Sequence, residues 1–221
     1  MIPLPPAPGA EARTSLALVN SHVSLPGGRS ADELDSPAAA TQWLIERDLV
    51  PADAALLEYC QSELAGLRET LRELFAAQVA GAAPSAEVLD GVNRALTRVP
   101  SAQLLQHDAD RGLHRASAHP VTRLVEHAMA QIAEDAAALL TGDAAGSIAR
   151  CTAPPCDRFL LRTHARRHWC STRCGDRVRA SRAYARKQES ARGQGESPEG
   201  TSRRGDEESS GGIDRDLPKF R

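Results

Sequence analysis

Residues 151–174 read CTAPPCDRFLLRTHARRHWCSTRC and hold four of the five cysteines of this 221-residue chain. The four cysteines form two close pairs, Cys151-x4-Cys156 and Cys170-x3-Cys174, which are separated by a short excursion. This spacing brings four thiolates to the corners of a tetrahedron, the geometry of a structural zinc site. Because four protein ligands leave no open coordination position, the predicted zinc ion is structural rather than catalytic.

The sequence leaves three other interpretations of the cysteines open. They are a redox pair, four unrelated buried cysteines, and a metal-ligand set in which His164 or His168 replaces one thiolate. Zinc is favoured because a short basic segment with few apolar side chains would scarcely fold without a metal, and structural zinc supplies about 10–16 kcal/mol of apparent binding free energy. The fifth cysteine, Cys60, lies in the apolar stripe of a predicted helix and is interpreted as a core residue.

The residues around the cysteines predict a knuckle, a hairpin and a helix in that order. The turn inside the first cysteine pair contains two prolines and is stiff. Phe159–Leu161 and His168–Trp169 are the expected arms of a small hairpin. Ser171 is the expected cap of a helix that runs from Thr172 to about Gln188. This order of elements resembles a treble-clef zinc finger.

The net charge of −2 hides an uneven distribution along the chain. Residues 150–187 contain 11 basic and 2 acidic side chains, whereas residues 1–149 contain 10 basic and 19 acidic ones. Zinc with four thiolates carries about −2, so the folded basic segment keeps about +7. Such a field attracts phosphate, and the excess of arginine over lysine favours bidentate contacts to phosphate or guanine. The segment is therefore predicted to bind DNA.

The candidate nucleic-acid contacts are arginines of this segment. They are Arg162, Arg166, Arg167, Arg173, Arg177, Arg179, Arg182 and Arg186. Helical periodicity places the last three along one flank of the predicted helix. Tyr184 is a candidate for stacking on bases, whereas Trp169, next to a ligand, is interpreted as packing against the zinc core.

Two competing interpretations of the basic segment remain open. In the first, it docks on the acidic remainder of the same chain. In the second, the finger is a zinc-stabilised protein-interaction module whose arginines bind an acidic protein partner. If DNA is the partner, a homodimer is expected, because one small finger contacts only a few base pairs.

The rest of the chain predicts a mainly α fold. Apolar residues make up 41% of the chain but aromatic residues only 3%, which favours packed helices over a β-sandwich. Apolar residues at spacings of three and four predict a long helix that ends at Gly81, and further helices are expected after Ser36, after Ser85 and over Pro120–Leu140. Residues 14–21 predict either a strand or a helical turn. Ser101–His107 and Gly112–Ala118 predict a small β-hairpin.

Composition suggests four segments. Residues 1–11 are proline-rich and predict a flexible lead, residues 12–149 a helical domain, residues 150–187 the zinc finger with its basic helix, and residues 188–221 a disordered tail rich in glycine, serine and charge. The N-terminus lacks the features of a secretory signal, and no stretch has the ~20 apolar residues that span a bilayer. A cytoplasmic protein with reduced cysteines is therefore expected.

The sequence gives little support for an enzyme. The titratable residues that cluster in sequence are His107, Asp108, Asp110, His114, His119 and His127. They lack an evident nucleophile or a second metal-binding spacing, so they are interpreted as residues of turns and helix surfaces. Asn20 and Arg29 suit either a ligand pocket or capping and turn formation, and the ligand of the N-terminal domain stays unknown.

The run Trp169–Arg177, together with the first cysteine pair, resembles the CGNR-type zinc finger that ends members of the bacterial ABATE family. The family's Cys-Gly-Asn-Arg signature here reads Cys174-Gly175-Asp176-Arg177. Upstream, SLALVNS, the Gly27-Gly28-Arg29 turn with Asp32 and Leu34 after it, and the Trp43-Leu44 helix resemble the start of the ABATE domain. The resemblance covers about residues 12–187.

This resemblance implies a stress-linked transcriptional regulator whose N-terminal domain senses a ligand and whose finger contacts DNA. It assigns the zinc to the four cysteines and the role of signature arginine to Arg177. Asp176 departs from the family's Asn, which would weaken a base or phosphate contact but would serve equally well as a cap. Residues 160–164 lack the acidic and Asn-rich character usual in the family, so base preference cannot be carried over.

Overall fold

A computed structural model describes residues 5–99, 103–117 and 123–193 of the chain. In chain order its helices and strands are α1 (Thr14–Val19), β1 (His22–Leu25), β2 (Arg29–Asp32), α2 (Pro37–Ile45), α3 (Glu58–Ala80), α4 (Ala86–Thr97), β3 (Gln103–Asp108), β4 (Gly112–Ser117), α5 (Leu124–Thr141), β5 (Ile148–Arg150), β6 (Phe159–Leu161) and α6 (Thr172–Gly193). The predicted fold class, mainly α with small hairpins, is confirmed.

The helix ends follow the capping signals of the sequence. Ser36 Oγ accepts a hydrogen bond of 3.2 Å from the N–H of Ala39 at the start of α2. Ser85 Oγ accepts one of the same length from Val88 at the start of α4. The long helix α3 ends at Gly81, which adopts the left-handed conformation with φ 65°. α2 begins at Pro37, directly after Ser36 as predicted, and ends at Ile45.

The core lies between α1, α3 and α5, and α4 packs against the last two. Residues 14–21, for which the sequence allowed either a strand or a helical turn, contain the helix α1. Its residues Ser15 to Val19 are all buried. Leu64, Leu71 and Phe75 of α3 are fully buried in this core. Cys60 is half-buried and packs against the same cluster, as its place in the apolar stripe indicates.

Each sheet in the described residues is a two-stranded antiparallel hairpin. The predicted hairpin of β3 and β4 is confirmed, whereas the β1–β2 hairpin around Gly27 and Gly28 was not predicted. In the finger, Phe159–Leu161 pairs with Ile148–Arg150 and not with residues 168–169, so the predicted arms of that hairpin are wrong. The strands β5 and β6 flank the first cysteine pair, whereas residues 162–166 are exposed and mostly polar and so have no apolar side to support a second arm.

Part of the proline-rich start of the chain packs against the finger, a contact that the sequence did not predict. Ala7 is buried, and the Leu161 N–H donates a hydrogen bond of 2.8 Å to the Pro8 carbonyl. Gly9 has φ 91°, and a Cβ there would come within 2.7 Å of the Leu161 side chain. Only glycine therefore allows this close approach of the start of the chain to β6.

Some predictions fall outside the described residues, namely those on residues 1–4, on His119 and Pro120, and on residues 194–221 of the tail. Among the described residues, those up to Ala180 form one compact unit and those from Ser181 to Gly193 belong to a second. In the second unit α6 continues through Gly193, beyond the predicted end near Gln188, and its described side chains are exposed. None of the helices in the described residues is long and apolar enough to cross a bilayer.

Candidate metal centre and basic surface

The four cysteines that the sequence singles out converge in the structure. Their sulfur atoms all lie within 4.8 Å of one another. The Cys156 and Cys170 sulfurs are 3.6 Å apart, and those of Cys170 and Cys174 are 3.7 Å apart. A tetrahedral zinc ion with Zn–S bonds of about 2.3 Å requires edges of about 3.8 Å. The donor set therefore fits one structural zinc ion, and the exposed His164 and His168 are not part of it.

Backbone hydrogen bonds hold the first cysteine pair in its loop between β5 and β6. The Cys151 N–H donates to the Arg158 carbonyl at 2.8 Å, and the Cys156 N–H donates to the Ala153 carbonyl at 2.9 Å. The second pair leads into α6, where the Cys174 N–H donates to Ser171 Oγ at 3.3 Å, as the capping prediction requires. Two local motifs thus form opposite edges of the ligand tetrahedron.

The sulfurs of Cys151, Cys156 and Cys170 lie close enough to shift one another's pKa values. Hydrogen bonds from Cys156 and Cys170 lower the pKa of Cys151 to about 2. The hydrogen bond to Cys151 in turn raises the pKa of Cys170 to about 11, and it also raises the pKa of Cys156. Because zinc binds thiolates and not thiols, uptake of the ion by these cysteines must release protons.

Two arginines stabilise the negative charge of the sulfurs. Arg158 Nη1 lies 3.9 Å from the Cys170 sulfur, and Arg177 Nη2 lies 3.6 Å from the Cys174 sulfur. Arg158 is only 5% exposed, and its Nη2 donates to the Pro5 carbonyl at 2.9 Å. Arg158 thus belongs to the interior of the finger and not to the basic surface.

The signature Cys174-Gly175-Asp176-Arg177 has a structural explanation for its glycine and its arginine. A Cβ on Gly175 would lie 2.9 Å from the Trp169 ring, so a side chain there would displace the tryptophan from the zinc core. Arg177 donates from Nε to the Pro154 carbonyl at 3.1 Å and from Nη2 to the Ala153 carbonyl at 2.8 Å. Arg177 therefore ties the start of α6 to the first cysteine loop.

Asp176, the departure from the signature, pairs with an arginine of the candidate DNA surface. Its Oδ1 accepts a hydrogen bond of 2.5 Å from Arg179 Nη2, and both side chains are mostly exposed. The Arg179 guanidinium also lies 5.6 Å from the centre of the Trp169 ring. Asp176 therefore neutralises part of the charge that Arg179 offers to solvent.

The finger rests on the N-terminal helical domain through a few specific contacts. Arg72 of α3 forms a 2.9 Å ion pair with Asp157, which also accepts hydrogen bonds from the N–H and the hydroxyl of Ser24 at 3.0 and 3.1 Å. The Phe75 and Phe159 rings meet edge to face with centroids 5.7 Å apart. Burial alone would raise the pKa of Asp157, but the Ser24 hydrogen bonds and the Arg72 charge hold it below its usual value.

This contact differs from the intramolecular docking that the charge pattern suggested. The ion pair joins an acidic residue of the finger to a basic residue of the N-terminal domain, opposite to the expected signs. Within the described residues, no arginine of the finger forms an ion pair with an acidic residue of the N-terminal domain.

The candidate DNA-contacting arginines differ in exposure. Arg162, Arg166, Arg173 and Arg179 are exposed in the first compact unit, and Arg182 and Arg186 are exposed in the second. Arg167 and Arg177 are half-buried. Tyr184 is 66% exposed, whereas Trp169 packs on the zinc core as its position in the sequence indicates.

Three of the titratable residues considered for catalysis, Asp108, His114 and His127, have structural partners. Asp108 accepts hydrogen bonds from the backbone of Asp110 and Arg111 in the β3–β4 turn and lies 3.5 Å from His114. His127 is buried on α5 beside Gln131. Within the described residues, the four cysteines are the one group of three or more potential metal ligands that converge.

Comparison with protein families agrees with this geometry. Residues 148–187 match the model of the CGNR zinc finger. Residues 12–143 match the model of the ABATE family, described as "Putative stress-induced transcription regulator". A search of curated proteins gave no significant match. The match to the ABATE model covers more than half of the sequence. The chain therefore belongs to the ABATE family, and it carries a CGNR zinc finger with one structural zinc ion.

Proposed function

We propose that this chain is a DNA-binding transcriptional regulator in which the finger contacts DNA and the N-terminal domain senses a ligand. The observation that carries the proposal is a set of exposed arginines without acidic partners in the described residues. They are Arg162, Arg166, Arg173, Arg182 and Arg186. Their positive charge is available to phosphate, since nothing acidic within the described residues neutralises it.

The other candidate arginines are less available for contacts with DNA. Arg179 shares its guanidinium with Asp176. Arg167 and Arg177 are half-buried, and Arg177 already donates to two carbonyl groups of the cysteine loop. The zinc ion orders the loop and the first turn of α6, and so holds Arg173 on the surface of a folded finger. The ion itself takes no part in contacting DNA.

We further propose domain boundaries at residues 12–149 and 150–187, a cytoplasmic location and a non-catalytic role. A homodimer on DNA is part of the proposal because a single finger covers only a few base pairs. Light scattering of the free protein and of its DNA complex measures the oligomeric state. A strictly monomeric complex would remove the dimer from the proposal.

Fluorescence anisotropy of the zinc-loaded full-length protein on a labelled mixed-sequence duplex tests DNA binding. The triple variant Arg179/Arg182/Arg186→Ala is compared with Arg94/Arg115/Arg123→Ala, which removes the same charge from exposed positions of the N-terminal domain. Each lost phosphate contact lowers the slope of log affinity against log salt by roughly 0.9, so the finger variant is expected to lose about 2 to 3 from that slope.

The control variant should keep nearly all of the wild-type slope. Absence of binding by the zinc-loaded wild type at low salt would overturn the proposal. In that case the arginines would be assigned to the alternative function, a zinc-stabilised module that binds an acidic protein partner.

A further inference from the structure

A cavity of about 450 Å³ lies between the β1–β2 hairpin and the zinc-binding loops, within the first compact unit. Its wall includes Cys156, Cys170 and Cys174 on one side and residues 23–33 on the other. The volume falls in the range of about 300–1,000 Å³ that small-molecule pockets occupy. A ligand in this cavity would therefore contact both the N-terminal domain and the zinc finger.

Four arginines line the cavity, namely Arg29, Arg158, Arg173 and Arg177. The two that do not contact the sulfurs of the zinc site are Arg29 and Arg173. Arg158 is only 5% exposed, and its Nε is buried without a hydrogen-bond partner among the described residues. Arg173 is exposed and forms no ion pair there. Buried arginine N–H groups favour the nearby carboxylate or phosphate oxygens of a ligand.

The acidic residues that line the cavity are already paired with other groups. Asp32 accepts two hydrogen bonds from Arg68, at 2.6 and 3.0 Å. Glu33 accepts one from the Trp43 ring N–H at 3.0 Å. Arg68 and Arg47 do not line the cavity, and they neutralise Asp32 and Glu33 from outside it, with Arg47 Nη2 4.0 Å from Glu33 Oε2. Zinc with four thiolates offsets about −2, so the four lining arginines keep an excess of about +2.

The remaining wall is apolar. Val23, Leu25, Pro26 and Ala31 of the β1–β2 hairpin line the cavity opposite the zinc-binding loops. An inorganic ion would leave this apolar surface uncovered, whereas a ligand that carries an apolar body would bury it. The lining as a whole suits a molecule with one anionic end and one apolar end.

We propose that this cavity binds a small organic anion, with its acidic head group toward the arginines and its apolar body on the β1–β2 hairpin. The regulatory consequence rests on the function proposed above. Arg173 belongs both to the cavity wall and to the proposed DNA contacts. A bound anion would pair with Arg173 and would add negative charge beside the finger, so the ligand is expected to weaken DNA binding.

Direct binding is tested with octanoate, which displaces the fluorescent probe 8-anilinonaphthalene-1-sulfonate from the zinc-loaded full-length protein. Octanol, with the same chain length but no charge, and acetate, with the charge but almost no chain, are the matched ligands. Octanoate should displace the probe at a concentration about tenfold or more below either of them, because charge-assisted hydrogen bonds and apolar burial act together. Equal displacement by octanoate and octanol would overturn the proposal.

Two variants locate the site without removing the buried Arg158. Arg173→Ala removes an exposed cationic group of the wall, and Ala31→Phe fills the apolar side. Both should weaken octanoate binding about tenfold, whereas Arg115→Ala, which removes a charge from β4, should leave it unchanged. Circular dichroism verifies that each variant is folded. Unchanged affinity in both folded cavity variants would overturn the assignment.

The regulatory step has a separate readout. DNA anisotropy is measured with and without octanoate at constant ionic strength, in wild type and in Ala31→Phe. A loss of DNA affinity with octanoate in wild type alone supports the coupling, and no change overturns it. If the protein binds octanoate but no DNA at all, the cavity assignment stands and the DNA-binding proposal fails.

Discussion

Asn20 and Phe159 are joined by two reciprocal hydrogen bonds. The Asn20 side-chain amide donates to the Phe159 carbonyl at 2.9 Å, and its Oδ1 accepts from the Phe159 N–H at 2.8 Å. Both residues are buried, and they lie 139 positions apart in the sequence. The asparagine side chain thus satisfies the backbone of β6 from the end of α1 and fixes the finger to the helical domain.

Replacement of Asn20 by Ala should destabilise the protein by about 2–4 kcal/mol, because both polar backbone groups of Phe159 would stay buried without partners. Urea unfolding followed by circular dichroism measures this change. Asn93→Ala, an exposed position on α4, is the control and should shift stability by less than about 0.5 kcal/mol. Equal stability of Asn20→Ala and wild type would show that water replaces the asparagine.

The sequence predicted the zinc site well and its docking poorly, for a physical reason. Cysteine spacing and the Ser171 cap are local features, so Cys151 to Cys174 could be assigned from 24 consecutive residues. The attachment of Asn20 to Phe159 is a long-range contact between a short helix and a three-residue strand, and such short segments carry no usable periodicity. Nothing local marked Asn20 as different from a capping residue.

Net charge was a poor guide to the contact between the finger and the helical domain. The summed charges left open a docking of finger arginines on the acidic domain, yet the ion pair observed joins Arg72 to Asp157. The net charge of a segment describes its long-range electrostatic attraction. A packed contact between two segments depends instead on individual ion pairs at short distance. Arg158 is a similar case, since its side chain lies buried between Pro5 and Cys170 although the segment around it is strongly basic.

Removal of the zinc ion should destabilise the helical domain as well as the finger. Phe159 and Ile148 belong to the main core, so loss of the ordered finger removes part of that core. Addition of a chelator is expected to release one zinc ion per chain and to lower the midpoint of thermal unfolding of the whole compact unit. Metal release is followed with a zinc-binding dye, and unfolding by circular dichroism.

Two cysteine variants provide the controls for zinc removal. Cys170→Ser should abolish stoichiometric zinc binding, and Cys60→Ser should retain it, since Cys60 packs against the core away from the cluster. Retention of one zinc ion by Cys170→Ser would contradict the ligand assignment. An unfolding midpoint that is insensitive to the chelator would contradict the shared core.

Gly175→Ala should destabilise the zinc-bound finger by about 1–3 kcal/mol, because the new methyl group overlaps the Trp169 ring and the packed ring must move. Gly146→Ala is the matched control, since a Cβ at that position meets no atom within 4 Å. Tryptophan fluorescence and thermal unfolding compare the two variants. An unshifted emission spectrum together with wild-type stability in Gly175→Ala would show that Trp169 relaxes freely.

Asp176→Asn should strengthen DNA binding. Asp176 and Arg179 are 69% and 60% exposed, so their ion pair contributes little to folding but still places a negative charge on the proposed DNA surface. The neutral amide removes that charge and frees Arg179 for phosphate, which should increase the salt slope of duplex binding by roughly 0.9. Anisotropy titrations at several salt concentrations measure both the affinity and the slope.

Asp143→Asn makes the same change of net charge at an exposed position after α5 and should leave DNA binding nearly unchanged. A similar gain in both variants would mean that net charge alone acts, with no special part for Arg179. A loss of affinity in Asp176→Asn would mean that the Asp176–Arg179 pair holds the arginine in its binding conformation. The Asp176–Arg179 pair lies within the helix α6, so unfolding of this part of the finger would reduce the helical circular dichroism signal. An unchanged signal would show that the lost affinity is not due to unfolding.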